Sequence, residues 1–191
     1  QLGPVAREAE PVIKQIFVAD ENADGDLEPR LYMLRKRIEK KVAESMIPDR
    51  EAFYIVSLSS RNIVYKGMLS SLQLRYYYPD LMNPHFTTAM ALVHSRFSTN
   101  TFPTWSLAQP FRILGHNGEI NTIQGNRMWM KARECVLHPA IFGNNDLTPI
   151  IQDNMSDSAS LDNVLEYFVM GGMTLPHALA MLVPESFNDK N

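Results

Sequence analysis

Apolar positions follow a helical period in several parts of the chain. The clearest run extends from Leu27 to Val42, where large aliphatic residues return every three or four positions and the opposite face is basic. Residues 158–170 show the same period, and Gly171-Gly172 then predicts a helix end. Two further helical segments are predicted at residues 119–134 and 174–183. Within residues 4–18 we predict a short helix that runs into an apolar stretch, with Pro11 as the interruption.

Other apolar runs are continuous and short, which is typical of strands covered on both faces. Residues 89–93 fit this pattern, and residues 53–58, 63–68 and 112–115 are further strand candidates. Residues 53–58 and 63–68 flank Ser59–Asn62 and form a candidate hairpin. Helices together with doubly covered strands predict buried sheets with helices outside them.

Composition narrows the class of protein. The 191 residues are 45% hydrophobic and 20% charged, a balance typical of a globular domain. A formal charge of −3 argues against nucleic-acid binding, and no apolar run is long enough for a membrane span. The start at Gln1 lacks the features of a signal peptide, and the single cysteine excludes an internal disulfide. We therefore expect a cytoplasmic protein with neither nucleic-acid nor membrane partners.

Metal binding is not predicted. Residues 20–25 resemble the first half of a calcium-binding loop, but the twelfth position is Leu31, where a bidentate glutamate is required. A solvated acidic loop before the helix N-terminus explains this segment better. The five histidines also lack the spacing of a zinc site.

Two polar segments each follow a predicted strand, the position where sheet proteins place ligands. Residues 94–105 carry Arg96, and an arginine can bind a carboxylate through two parallel hydrogen bonds. Residues 115–121 carry Asn117-Gly118, whose side-chain amide and backbone N–H are two donors suited to an oxyanion. A plain strand-to-helix turn explains the Asn-Gly pair equally well.

The same segments resemble a known family. Arg96–Arg112 (R-F-S-T-N-T-F-P-T-W-S-L-A-Q-P-F-R), His116–Thr122 (H-N-G-E-I-N-T) and Gly125–Arg127 resemble the glutaminase domains of glutamate synthase large subunits. These are class II glutamine amidotransferases with the N-terminal-nucleophile hydrolase fold. The similarity covers residues 89–134 and resumes at 155–163. Amidotransferases that make glucosamine phosphate, phosphoribosylamine or asparagine share H-N-G, and the longer F-P-T-W-S-L-A-Q-P-F tract narrows the family.

The resemblance implies an α+β fold, a four-layer α-β-β-α sandwich, in which residues 1–191 form part of one glutaminase domain. It further implies a whole enzyme that releases ammonia from L-glutamine and uses it to convert 2-oxoglutarate into glutamate. That second reaction would use FMN and an iron–sulfur cluster, with NADPH, NADH or ferredoxin as electron donor. We place none of those cofactors in these residues. The implied partners are the remaining domains of the large subunit and a small reductase subunit.

Five residues acquire roles from the resemblance. Arg96 is implied to bind the glutamine α-carboxylate with help from Thr99, and Asp157 to bind the α-ammonium group. The Asn117 side chain and the Gly118 N–H are implied to form the oxyanion hole, where losing one donor typically lowers turnover about 100- to 1000-fold. A helix N-terminal cap is a second role open to Asp157.

The nucleophile departs from the family pattern. The family uses an N-terminal cysteine whose thiol attacks the glutamine amide to form a thioester. This chain begins with Gln1, and we interpret Cys135 as a small buried side chain despite the nearby His138. We therefore expect an internal piece of the domain, incomplete at its N-terminus and inactive alone. The alternative is a non-catalytic glutamine- or glutamate-binding or interaction module, although the retained Asn117-Gly118 pair favours an enzyme.

Overall fold

The computed structural model describes residues 2–20, 25–99 and 101–183. Within these ranges the α-helices are α1 (Pro4–Glu8), α2 (Leu27–Ala43), α3 (Ser71–Tyr77), α4 (Ile123–Arg133), α5 (Asp157–Met170) and α6 (Leu175–Leu182). Short 3-10 turns form at Arg50–Ala52, Pro79–Met82 and Ala140–Phe142. Among the described helices, none combines the length and apolar composition that crossing a bilayer requires.

Helix α5 lies at the centre of the structure. Ser156 caps it by accepting a hydrogen bond from the Ala159 N–H over 3.1 Å. Most of its residues are buried, and Leu165 is completely so. Val164 and Tyr167 enter the main hydrophobic core. The core unites seven buried residues from α2, α4, α5 and the loop between the last two: Tyr32, Met130, Phe142, Leu147, Ile150, Val164 and Tyr167.

Helix α2 packs on α5 through both apolar and charged side chains. Its cap Asp26 accepts a hydrogen bond from the Glu28 N–H over 3.1 Å, which satisfies one free donor of the first turn. Further along, Arg35 is buried and pairs with Glu39 at 3.0 Å and with Glu166 of α5 at 2.5 Å. The ion pairs therefore connect the two helices inside the molecule.

The predictions of α2, α5 and α6 are confirmed to within about two residues at each end. The short helix predicted within residues 4–18 is confirmed as α1, which ends at Glu8, and Pro11, which has no N–H to donate, stands soon after that end. The segment predicted at 119–134 becomes helical only at Ile123; before that start, the Ile120 N–H donates to Asp157. Helix α3 was missed.

The strand predictions are wrong for the described part of the chain, where no strand forms. Residues 53–58, 63–68 and 89–93 lack a ladder of backbone hydrogen bonds, without which a strand is not stable. Residues 89–93 are also uncovered: Met90 and Val93 are 84% and 81% exposed. In 112–115 the backbone turns toward α5 instead. The four-layer sandwich stays a prediction.

Candidate functional site

The polar turn at residues 116–120 joins two segments that are distant in sequence. On one side, the Thr99 hydroxyl hydrogen-bonds to the Glu119 carboxylate. On the other side, the Ile120 N–H donates to Oδ2 of Asp157 over 2.9 Å. The structure therefore brings two predicted substrate-binding residues to the turn that carries the predicted oxyanion donors.

His116 anchors the start of this turn through both its ring and its backbone. Its Nδ1 lies 2.8 Å from Oγ of Ser158, a completely buried residue in the first turn of α5. Its N–H donates to Oε1 of Gln109 over 2.8 Å, and Nε2 of Gln109 donates to its carbonyl over 3.0 Å. Three hydrogen bonds thus hold the residue that immediately precedes the Asn-Gly pair.

Gly118 lies against the imidazole of His116. A Cβ at position 118 would come within 2.7 Å of Nε2 of His116, closer than two such atoms can pack. The ring has little freedom to give way, because its other nitrogen is bonded to Ser158. Glycine is therefore required here for steric reasons, independently of any role in binding.

Asn117 and Gly118 face solvent with their donors available. Both residues are exposed, and no described residue hydrogen-bonds to the Asn117 carboxamide. The turn that carries them is held on both sides, by His116 before and by Ile120 after. A donor that lies on an anchored turn and has no internal partner can stabilise a developing oxyanion.

Asp157 is held as a carboxylate. Partial burial alone would raise its pKa, but the N–H groups of Ile120 and Ser158 outweigh that effect and hold the pKa below its ordinary value. The negative charge at neutral pH suits attraction of an ammonium group. Asp157 is the first residue of α5, whereas the cap is Ser156, so the interpretation of Asp157 as the cap is wrong.

Arg96 lies on a segment that runs beside the turn. Its N–H donates to Nδ1 of His94 over 3.1 Å, while its side chain is exposed and forms no ion pair with the described residues. A Cβ at Gly115 would lie 3.7 Å from the His94 ring, and Thr99 contacts Glu119 further along. The segment that carries Arg96 therefore meets residues 115–119 at two points, through His94 before Arg96 and through Thr99 after it. Its binding of a carboxylate stays a prediction.

Sequence reasoning missed two residues that hold the turn, Gln109 and Ser158. Gln109 stands within the F-P-T-W-S-L-A-Q-P-F tract, which served only to recognise the family. Ser158 was considered only as a neighbour of the possible cap at Asp157. A signal was available for Gln109, since a carboxamide in an otherwise apolar stretch needs a partner when it is buried.

Cys135 is exposed, so its interpretation as a small buried side chain is wrong. Its thiol lies 3.5 Å from the Ala132 carbonyl, and His138 bonds to the Cys135 carbonyl at 3.0 Å and not to the sulfur. The described contacts of Cys135 therefore stay within the end of α4 and the loop after it.

Metal ligands do not cluster in the part of the chain that the structure describes. Of the calcium-like segment, Asn22 and Asp24 lie outside the described residues. Asp20 forms an ion pair with Arg30 of α2, which is consistent with an acidic loop placed before a helix.

Comparison with known proteins gives one consistent answer. The pattern of the family described as Glutamine amidotransferases class-II matches residues 1–191. The chain is 49% identical over 189 residues to the large chain of the NADPH glutamate synthase of Azospirillum brasilense, which covers 97% of this chain and 12% of that relative. It is 48% identical over 197 residues to the NADH glutamate synthase of Saccharomyces cerevisiae. That alignment covers 98% of this chain and 9% of the yeast protein.

A third relative, the ferredoxin-dependent glutamate synthase of Cyanidium caldarium, is 46% identical over 190 residues, covering 98% of this chain and 12% of that protein. The chain thus spans only 9 to 12% of the length of these relatives. The family match over all 191 residues and the identities of 46 to 49% confirm the resemblance. This chain belongs to the class-II glutamine amidotransferases.

Proposed function

We propose that these residues form the glutamine-binding and oxyanion-stabilising part of the glutaminase site of a glutamate synthase. The observation that carries the proposal is the meeting of Thr99 and Asp157 at the turn that bears Asn117-Gly118. The family membership and the names of the relatives supply the reaction class.

In the proposed mechanism, two charged groups orient the substrate. Arg96 binds the α-carboxylate of glutamine, where a guanidinium can donate two parallel hydrogen bonds. Asp157, kept anionic by backbone N–H groups, binds the α-ammonium group. With the amino-acid end held in this way, the side-chain amide extends toward Asn117-Gly118.

The oxyanion pair then acts on the amide carbonyl. When a thiolate attacks the carbonyl carbon, the oxygen gains negative charge and accepts hydrogen bonds from the Asn117 carboxamide and the Gly118 N–H. The carbon–nitrogen bond breaks, ammonia leaves with a transferred proton, and water hydrolyses the thioester to glutamate. The described contacts of Cys135 do not reach this turn, so we assign these residues to binding and oxyanion stabilisation alone.

We further propose that the complete natural protein uses the ammonia for glutamate synthesis, with FMN and an iron–sulfur cluster held by other parts of a large chain. The relatives are named for NADPH, NADH and ferredoxin, and the identities of 46 to 49% do not choose among these donors. A small reductase subunit, the cytoplasmic location and the four-layer sandwich belong to the same proposal.

The test uses two substitutions in the complete natural protein, with ammonia release from glutamine as the assay. Arg96→Ala should raise KM about 10- to 100-fold because the carboxylate loses a charge-assisted partner. Asn117→Ala should lower kcat about 100- to 1000-fold with little change in KM. The matched controls Arg37→Ala and Asn62→Ala alter exposed residues outside the turn and should change neither constant.

Three outcomes would contradict the proposal. An unchanged KM for Arg96→Ala would remove this arginine from the site, and an unchanged kcat for Asn117→Ala would remove the oxyanion role. Glutamine binding without any ammonia release by the unsubstituted protein would favour the non-catalytic binding module instead.

A further inference from the structure

Gln109 is a buried residue whose side chain hydrogen-bonds to the backbone of His116, next to the exposed Asn117-Gly118 pair. It is only 7% exposed, and its carboxamide hydrogen-bonds to both backbone polar groups of His116. The oxygen accepts from the N–H over 2.8 Å, and the nitrogen donates to the carbonyl over 3.0 Å. A donor and an acceptor in one planar group are both needed to make this pair of bonds.

These bonds close a compact loop of residues 109–116, which we call the Gln109 loop. Inside the loop, the Phe111 N–H donates to the Leu114 carbonyl over 2.8 Å. The Asp162 carboxylate, buried in α5, accepts from the N–H groups of Arg112, Ile113 and Leu114 over 3.3, 2.8 and 3.0 Å. The loop therefore rests on the central helix, and the amide of Gln109 holds its two ends together.

The Gln109 loop ends where the oxyanion pair begins. Asn117 and Gly118 are exposed, and no described residue hydrogen-bonds to the Asn117 side chain. Their position therefore depends on the residues on either side. His116 is the anchor on the N-terminal side, and two of its three hydrogen bonds come from Gln109. Oxyanion donors are effective only when they are oriented before the reaction, and a displacement of about 1 Å can cost about 100-fold in rate.

We infer that Gln109 is a positioning residue for glutamine hydrolysis, which orients the Asn117 and Gly118 donors through its two hydrogen bonds to His116. The inference rests on the proposed function, since it concerns the same site. It assigns to Gln109 an effect on turnover and not on glutamine binding, because the Arg96 and Asp157 segments contact the turn through other residues.

The first test is Gln109→Ala in the complete natural protein, which leaves the His116 backbone groups unpaired. We expect kcat for ammonia release to fall about 10- to 100-fold, while KM for glutamine stays within about threefold. The control Gln124→Ala removes an exposed carboxamide from α4 and should alter neither constant. A rise in KM at constant kcat, an unchanged kcat, or a loss that disappears after correction for unfolded protein would each overturn the inference.

The second test uses Gln109→Glu, which has nearly the same shape. As a carboxylate it still accepts from the His116 N–H, but it presents an oxygen to the His116 carbonyl and cannot donate. When protonated, it regains one donor and one acceptor. The ratio of its kcat to that of the unsubstituted protein should therefore rise on the order of tenfold as the pH falls through the pKa of this carboxyl group, which burial places above 4.

The pH profile separates positioning from a purely structural role. The kcat ratio for Gln109→Ala, which has no titrating group, should stay constant over the same pH range. A constant ratio for Gln109→Glu would overturn the inference. The Asn117→Ala variant separates a failure of the Gln109 inference from a failure of the proposed function. If Asn117→Ala loses turnover while both Gln109 variants keep theirs, the inference fails and the proposed function stands. If Asn117→Ala keeps its turnover in an active glutaminase, the proposed oxyanion site itself fails.

Discussion

Lys66 is a buried lysine whose side chain hydrogen-bonds to no carboxylate among the described residues. Its Nζ donates to the Ser106 carbonyl over 2.7 Å and lies 4.9 Å from the Phe111 ring centroid. Burial lowers the pKa of Lys66 to about 7, and Arg112 adds to this effect while Asp162 opposes it. Above pH 7 the folded protein therefore favours the neutral amine, whereas the unfolded chain keeps the proton up to a pH of about 10.

This difference predicts how stability changes with pH. Between pH 7 and pH 10 the unfolded state binds a proton that the folded state does not, so the free energy of unfolding should rise with pH. We expect the stability of the unsubstituted chain, relative to Lys66→Met, to increase by about 2 kcal/mol between pH 7 and pH 9 in urea unfolding experiments. The control Lys131→Met, at an exposed site, should show no such trend. A stability difference that is independent of pH would refute the assignment.

Helices α2 and α5 are joined by a buried charge network. Arg35 pairs with Glu39 and Glu166, and Arg112 lies 3.5 Å from Glu39 and 3.8 Å from Glu166. The side chain of Arg35 is only 3% exposed, and those of the two glutamates are 8% exposed. A buried ion pair adds little net stability, but removing one member leaves an unpaired charge that is costly.

Arg35→Leu should therefore destabilise the fold by about 3–5 kcal/mol, whereas the double change Arg35→Leu and Glu166→Leu should recover part of this loss. Glu39 keeps Arg112 as a partner in the double variant. Chemical unfolding of the single and double variants measures the effect, with Arg37→Leu as the exposed control on the same helix. A double variant less stable than Arg35→Leu would show that the cost does not come from the unpaired charge.

Among the residues that the structure describes, many large apolar side chains lie on the surface instead of in the core. Residues 90–93, which are Met-Ala-Leu-Val, are all exposed, and so are Val12 and Phe17 in the extended segment after α1. Consecutive exposed apolar residues promote association and dye binding. The 191-residue chain is therefore expected to bind a hydrophobic dye while folded.

Met90→Lys with Val93→Lys should lower the fluorescence of bound anilinonaphthalene sulfonate and the light scattering of concentrated samples, because charge interrupts the apolar run. Thr87→Lys with Gln124→Lys adds the same charge at exposed polar positions and serves as the control. Equal effects of the two pairs would mean that net charge, and not the apolar run, controls association.

Local patterns predicted some elements well and others not at all. Helix α2 was predictable because its apolar period and its cap lie within one segment. Helix α3 could have been found from Ser70 and Gln73, which form a capping box. The strands failed because a strand also depends on pairing with another segment, and a short apolar run carries no information about its partner.

The residues of the candidate site were also predictable only in part from local sequence patterns. Asn117, Gly118, Thr99 and Asp157 were predicted because they belong to motifs that can be recognised without coordinates, and the structure brings their segments together. The exposure of Cys135 was not predicted, because free cysteine is among the most buried residue types and its neighbours are mixed, with Glu134 before it and Val136 after it.

The amino-acid sequence alone was sufficient for the family and for the long amphipathic helices, since each is encoded in contiguous positions, and it supplied the predicted residues of the candidate site. The coordinates were needed to learn what holds the turn in place. Gln109 meets His116 across 7 positions, Thr99 meets Glu119 across 20, and Asp162 meets the Gln109 loop across as many as 50. Hydrogen bonds between such distant residues depend on how the helices pack, and no local pattern encodes that packing.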